Sequence, residues 1–275
     1  MNTPAEALAL SHIGYAEAQV VARFIDEKLR AAVDERTPTG LHGIAFQGQL
    51  LRTIAWLRSL AKLDDPGNDF QAITSAARSV FESAVDVTLM HFDGSANGPE
   101  KMDGWEDSAK LKHSQNATEY LAASGRAPTD AERTVMAYAS REKDRVEKLR
   151  LRWWPNENGR HPRNRWTGRD LGTDAREADK LLPEGFEEFY RLRYPQLCWN
   201  VHGSGLAAVA NVGPDAFAYI GGQAYEEAAQ FATVVAKVVA LHLGCWNEED
   251  FKRLAQHVEE TRVAVYLAHQ AKRGA

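Results

Sequence analysis

Phe70-Gln71-Ala72-Ile73-Thr74-Ser75-Ala76-Ala77-Arg78-Ser79-Val80-Phe81-Glu82-Ser83-Ala84-Val85-Asp86-Val87-Thr88-Leu89 is the stretch on which the fold class turns. Its apolar residues Phe70, Ile73, Ala77, Phe81, Val85 and Leu89 recur three or four apart. That is the period of one helix face, and a strand would alternate every second residue. The spacing predicts a helix over about 69–91. Asp64-Asp65-Pro66-Gly67 stops whatever precedes it, and a polar, glycine-rich loop over 93–104 follows.

The same period extends in both directions. Upstream, Ile13, Ala16, Val20, Phe24, Ile25 and Leu29 mark a helix to about residue 34, opened by the capping-box pattern Thr3-Pro4-Ala5-Glu6. Ile44, Leu51, Ile54, Leu57 and Leu60 mark another over about 41–63. Downstream, helices are expected at about 105–123 and, after a second capping box at Thr129-Asp130-Ala131-Glu132, to about Trp153, where Pro155 ends the pattern. Shorter helices follow near 174–181 and 185–202, the latter kinked or restarted at Pro195. Two long ones over about 222–244 and 248–272 read as an antiparallel C-terminal pair. A weak strand signal at 217–220 is the exception. The expectation is an all-α, multi-helix bundle forming a single domain over 1–275.

Composition narrows the function classes. The net charge of −5 gives no global attraction to nucleic acid or to an acidic membrane. Cys198 and Cys245 are the only cysteines, too few for a disulfide framework. Each has a histidine close by, His202 and His242, yet these pairs fall short of a zinc signature, so no metal and no cofactor are expected. The N-terminus lacks a secretory pattern, and the longest apolar run, over 232–246, is interrupted by Lys237 and too short to span a bilayer. The expected location is cytoplasmic, with no membrane partner. Phosphate-cradling loops, a nucleophile elbow and paired Glu-x-x-His motifs are missing from the sequence.

Three places carry chemistry. Arg78, Glu82 and Asp86 lie four apart on one stripe beside the apolar one. Such a stripe is either a solvated boundary or the wall of a cleft in which Glu82 orients Arg78 towards an anion. In Tyr190-Arg191-Leu192-Arg193-Tyr194-Pro195-Gln196-Leu197-Cys198-Trp199-Asn200-Val201-His202-Gly203-Ser204, Gly203 is placed to end a helix. His202 then sits in the last turn, where the helix dipole favours its protonated form. Tyr194, Cys198 and Val201 face the core on this spacing, while Asn200, His202 and Ser204 lie off that stripe and form a compact polar group; Tyr190, with Asp86, Asn200 and Ser204, is a supporting candidate. His202 is either a carbonyl-bonding cap or a general acid/base. Third, residues 141–169 hold ten Arg or Lys and four acidic residues, a local net of +6 that leaves −11 elsewhere. Within it, Arg160, Arg163, Arg165, Trp166 and Arg169 combine phosphate-binding and base-stacking groups suited to RNA or a nucleotide. The alternative there is a loop anchored by buried tryptophans.

The string Arg78-Ser79-Val80-Phe81-Glu82, then Trp166-Thr167-Gly168-Arg169, then Val201-His202-Gly203-Ser204 resembles an uncharacterised bacterial family of helical domains, over about 41–204. The resemblance implies an α-helical domain in which Arg78, Glu82 and His202 converge on one site. More remotely it is similar to HEPN domains, helical bundles that often act as metal-independent ribonucleases with an arginine and a histidine on one helix. Here the residue five before His202 is Leu197, so Arg78 has to supply the cation from another helix. Two functions follow as expectations: an RNA- or nucleotide-directed phosphodiesterase of defence or toxin type, or a non-catalytic helical module that binds a nucleotide, nucleic acid or protein. A homodimer built on the C-terminal helices is a further expectation.

Overall fold

The structure is a computed structural model of the chain. It describes residues 4–36, 39–94, 97–162, 165–202 and 214–273, the side chains of 4, 5, 200–202, 214, 215 and 273 excepted. Among the described residues every regular element is a helix and no strand occurs, as the apolar periodicity requires. In order these are α1 (Pro4–Phe24), a π-helical turn (Ile25–Leu29), α2 (Arg30–Glu35), α3 (Gly40–Leu60), α4 (Pro66–Phe92), α5 (Gly98–Ser124), α6 (Asp130–Trp153), a 3-10 turn (Pro155–Glu157), α7 (Leu171–Leu181), α8 (Phe186–Leu192), α9 (Tyr194–His202), α10 (Pro214–His242) and α11 (Glu248–Arg273). None of the described helices is long and apolar enough to cross a membrane. The chain divides into two compact units: residues 1–92 with 175–275, and residues 93–174.

In the first unit α10 is the axis. Tyr225, Phe231, Ala232, Val235, Val238 and Val239 are fully buried, and the helix packs on α4, α1 and α3. Its small and apolar residues between Ala224 and Ala240 are mostly buried, as a helix at the centre of a bundle requires. The segment read as a weak strand, 217–220, belongs to its first turns. The expected pairing of the two C-terminal helices does not form: α11 packs on α1. The physical reason is that α10 is already covered by three neighbours. α11 offers a narrow apolar edge, Phe251 and Leu254, which docks where Phe24 and Trp246 lie 5.3 and 4.4 Å from Phe251.

α4 is the second central helix, and Ser83 to Met90 are all buried. It packs on α10, α9 and α3, so it is flanked on more than one side. An aromatic cluster joins it to its neighbours: Phe81 lies 4.6 Å from Phe189 and 4.9 Å from Phe231 between ring centroids. The short helix α8 brings Phe186 and Phe189 to that cluster. Its exposed backbone donors are answered by Asp179, whose carboxylate accepts from the N–H groups of Gly185, Phe186 and Glu187 at 2.9–3.0 Å. The chain restarts at Tyr194–Pro195 to form α9, as the proline predicts.

The second unit is a hairpin of α5 and α6. The Thr129 capping box forms, with the Glu132 N–H bonded to the threonine hydroxyl and the Glu132 carboxylate accepting from the Thr129 N–H. α5 begins earlier than the sequence suggests, at Gly98, because Pro99 starts it and the apolar period was too weak to mark the first two turns. Leu111, Leu121, Val146, Trp154 and Trp166 fill its core, together with a buried Arg150 that donates to the Ser108 hydroxyl and carbonyl at 2.7 and 2.9 Å.

Candidate functional site

In the first unit, Arg78 and Glu82 are one turn apart on α4, and the expected bond between them is present, Nε to Oε1 at 2.9 Å. A third member joins from α9. The Tyr194 hydroxyl donates to the same Glu82 oxygen at 2.6 Å and accepts from Arg78 Nε at 3.0 Å. The Arg78 guanidinium carbon lies 5.4 Å from the Tyr194 ring centroid, within cation–π range. Tyr190 stacks on Tyr194 with centroids 5.4 Å apart, and the Phe81 ring lies tilted at 5.6 Å. At the joint between α8 and α9, Arg193 is bonded to Glu227 of α10, which fixes where α9 begins.

Burial, then the bond to Glu82, pushes the Tyr194 phenol well above the usual tyrosine range, so it remains a hydroxyl and a donor at neutral pH. Burial works against the Arg78 charge, but the Glu82 bond and the surrounding negative potential outweigh it and raise its pKa. The result is a guanidinium fixed through Nε on one edge. The Arg78 and Glu82 side chains retain 26% and 29% of their exposure, so the triad is reachable from solvent.

The spacing sends Tyr194 to the core, and its ring packs against Phe81 there. Its hydroxyl nonetheless reaches the charged stripe, which only the fold could bring within bonding distance. Asp86 is buried further along α4. His202 is the last residue of α9, the helix that Tyr194 begins, and the rise of an α-helix puts its backbone about 12 Å along the axis. The side chains of Asn200 and His202, and all of Ser204, lie outside the described residues. His242, noted beside Cys245, instead pairs across helices with His91, Nδ1 to Nδ1 at 3.1 Å, and stacks on Phe46. Among the described residues no group of three or more His, Cys, Asp or Glu side chains could hold a metal ion.

In the second unit the basic aromatic loop is an internal scaffold. Trp166 is 3% exposed and its carbonyl accepts from Trp154 Nε1 at 2.9 Å, so its ring is not offered to a base. Asp174 has no side-chain exposure, and Arg165 and Arg169 reach it through Nε at 3.3 and 2.8 Å while Thr167 donates to it at 2.8 Å. Burial pushes the Asp174 carboxyl up, and these partners pull it back. Arg160 is exposed, and Arg163 lies outside the described residues. The arrangement is the anchored loop that the sequence left open. Of the basic run on α6, Arg141, Arg145, Lys148 and Arg152 are exposed and spaced four, three and four apart, with Arg145 paired to Asp107 and Glu142. Trp153 lies 4.4 Å from the Arg152 guanidinium and 5.9 Å from the Lys101 ammonium.

No family model, no curated protein and no solved structure matches the chain.

Proposed function

We propose that the first unit is a recognition module for a phosphate-bearing ligand, a nucleotide or an RNA phosphate, with Arg78 as the anion-binding group. One observation carries this reading: the Arg78 guanidinium is immobilised at Nε by Glu82 and Tyr194, on a side chain that keeps 26% of its exposure. An ordered guanidinium loses little rotamer freedom when it grips an oxyanion, and its planar fork suits phosphate geometry. Glu82 and Tyr194 act as positioning residues. A catalytic version, a metal-independent phosphodiesterase with His202 as acid/base, draws its support from one further fact: His202 ends the helix that Tyr194 begins.

Titration calorimetry with adenosine monophosphate, pyrophosphate and a short RNA is the test. Arg78→Ala should weaken binding at least ~10-fold, equivalent to about 1.4 kcal/mol, and Arg78→Lys should recover only part of it. Tyr194→Phe should weaken binding less. A parent chain that binds none of these anions, or an Arg78→Ala chain that binds as tightly as the parent, removes the reading. For the catalytic version, His202→Ala should abolish cleavage of RNA or nucleotide while leaving the measured affinity unchanged.

A further inference from the structure

Three histidines from three helices meet at one end of the first unit. His42 lies in the first turn of α3, His91 is the next-to-last residue of α4, and His242 is the last of α10. His91 and His242 face each other Nδ1 to Nδ1 at 3.1 Å, and the His42 ring lies parallel to that of His242 with centroids 6.3 Å apart. The fully buried Phe46 covers one face of His242 at 3.7 Å and meets His91 edge-on at 6.3 Å. Just beyond, Gly244 adopts φ +67°, and the Cys245 N–H reaches back to the Ala240 carbonyl at 2.9 Å to close α10.

The contact between His91 and His242 holds only while protons are scarce. An Nδ1-to-Nδ1 bond needs one ring to donate and the other to accept, whereas two imidazoliums have no acceptor between them and repel. Both rings sit at helix C-termini, whose dipoles favour a positive charge. Enclosure opposes this and prevails: burial, then the charges of His91 and His42, pushes His242 down to about 4, and burial lowers His91 as well. Also at this end are Arg36, which faces Cys245, and Asp93, which follows His91 by two residues in the chain. A ring freed here takes up a proton near its ordinary 6.5, while the enclosed ring resists to about 4. Closure is therefore fully supported above pH 6.5 and lost as pH falls from there. For His242 alone the open form gains ~30-fold on the closed one by pH 5, and solvent screening at this partly open site reduces that to ~10-fold.

We infer that this histidine cluster is an acid-sensitive latch: as pH falls below about 6, the last turns of α4 and α10 part from the first turn of α3, while the rest of the unit stays helical. The opening is local because the middle of α10 is held independently. Phe231, Ala232, Val235, Val238 and Val239 are buried there, and α10 packs on α4, α1 and α3. An end that carries few such contacts opens before the core does.

Cys245 reports the latch directly, since it is half-buried and its N–H bond belongs to the last turn of α10. In a full-length Cys198→Ser chain, its labelling by 4,4′-dithiodipyridine, which reacts with thiols even in acid, is compared at pH 7.5 and pH 5. Each rate is divided by that of the same chain unfolded in urea at the same pH. Protection should fall at least ~10-fold at pH 5, with far-UV circular dichroism nearly unchanged. His242→Phe keeps a ring on Phe46 that cannot titrate, and should remove most of that fall. His91→Gln keeps a polar partner for His242 and should remove part of it. His269→Gln deletes the exposed imidazole contact with His12, 2.9 Å away on α1, and should leave the fall intact. Equal protection at both pH values, an undiminished fall in both the His242→Phe and His91→Gln chains, its disappearance in the His269→Gln chain, or loss of all helix together with the protection overturns the inference.

Discussion

Glu226 shows how a single carboxyl records the crossing of three helices. It lies on α10 against α1, where a Cβ on Gly14 would sit 3.2 Å from its Cγ, and it shares that region with Glu17 and Arg262. Arg262 makes its close bond to Glu17, so Glu226 is left with less compensation. Burial first, then the charge on Glu17, pushes Glu226 up to about 7. Between about pH 4.5 and 7 the folded protein therefore holds a proton that the unfolded chain has released. The linkage sign follows: this group's contribution is fully present below pH 4.5 and is lost as pH rises through 7. Glu226→Gln removes that dependence. Urea unfolding of variant and parent should agree near pH 4 and diverge with rising pH, the variant being more stable by about 1 kcal/mol at pH 8 once solvent screening at this partly open site is allowed for. Burial drives His242 the opposite way, down to about 4, and costs stability as pH falls from 6.5. The variant-minus-parent difference is what isolates Glu226. Equal stability at pH 8 would mean that the carboxyl is ionised in the fold.

At the scale of elements, the bundle depends on how closely α1 and α10 approach. A Cβ added at Gly222 would stand 2.7 Å from the Ser11 Cα and 2.8 Å from its nitrogen, both backbone atoms that cannot turn aside. Gly222→Ala must push the two helices apart, although alanine has the better helix propensity. Thermal and urea unfolding should show a net loss of about 1–3 kcal/mol. A neutral or stabilising result would mean that the helices cross with room to spare. This close approach was not legible in the sequence, where Gly221-Gly222 gave no sign of what it faces. The helices themselves were, because the three-to-four period of Phe70 to Leu89 needs no knowledge of neighbours. Arg78 and Glu82 were legible for the same reason, being one turn apart. Tyr194 was not: it is more than a hundred residues away, and its ring obeys the core spacing while its hydroxyl does not. Chain adjacency suggests α10 as the partner of α11, whereas α10 is already packed on α4, α1 and α3.

At the scale of the whole molecule, residues 93–174 form one uninterrupted insertion between the two segments of the first unit. Several interactions within this insertion shape it. The Thr129 capping box starts α6, and Ser114 donates to the Val135 carbonyl at 2.6 Å to tie α5 to α6. The buried Arg150 ties α6 to Ser108 and to the Gly159 carbonyl, and Asp174 gathers Thr167, Arg165 and Arg169. Its apolar core is small, and a buried arginine satisfied by neutral oxygens carries a desolvation cost that a larger core would dilute; burial accordingly lowers the Arg150 pKa. A fragment spanning 93–181, which keeps α7 whole, should therefore fold as a helical hairpin of low stability. Its far-UV circular dichroism should be helical at 10 °C, and it should melt cooperatively well below the full chain. Arg150→Ala in that fragment should abolish the transition, because it strips the shared partner from Ser108 of α5 and Gly159 of the loop after α6. A fragment that is helical yet melts without cooperativity would show that helix propensity alone, and not this polar network, organises the insertion.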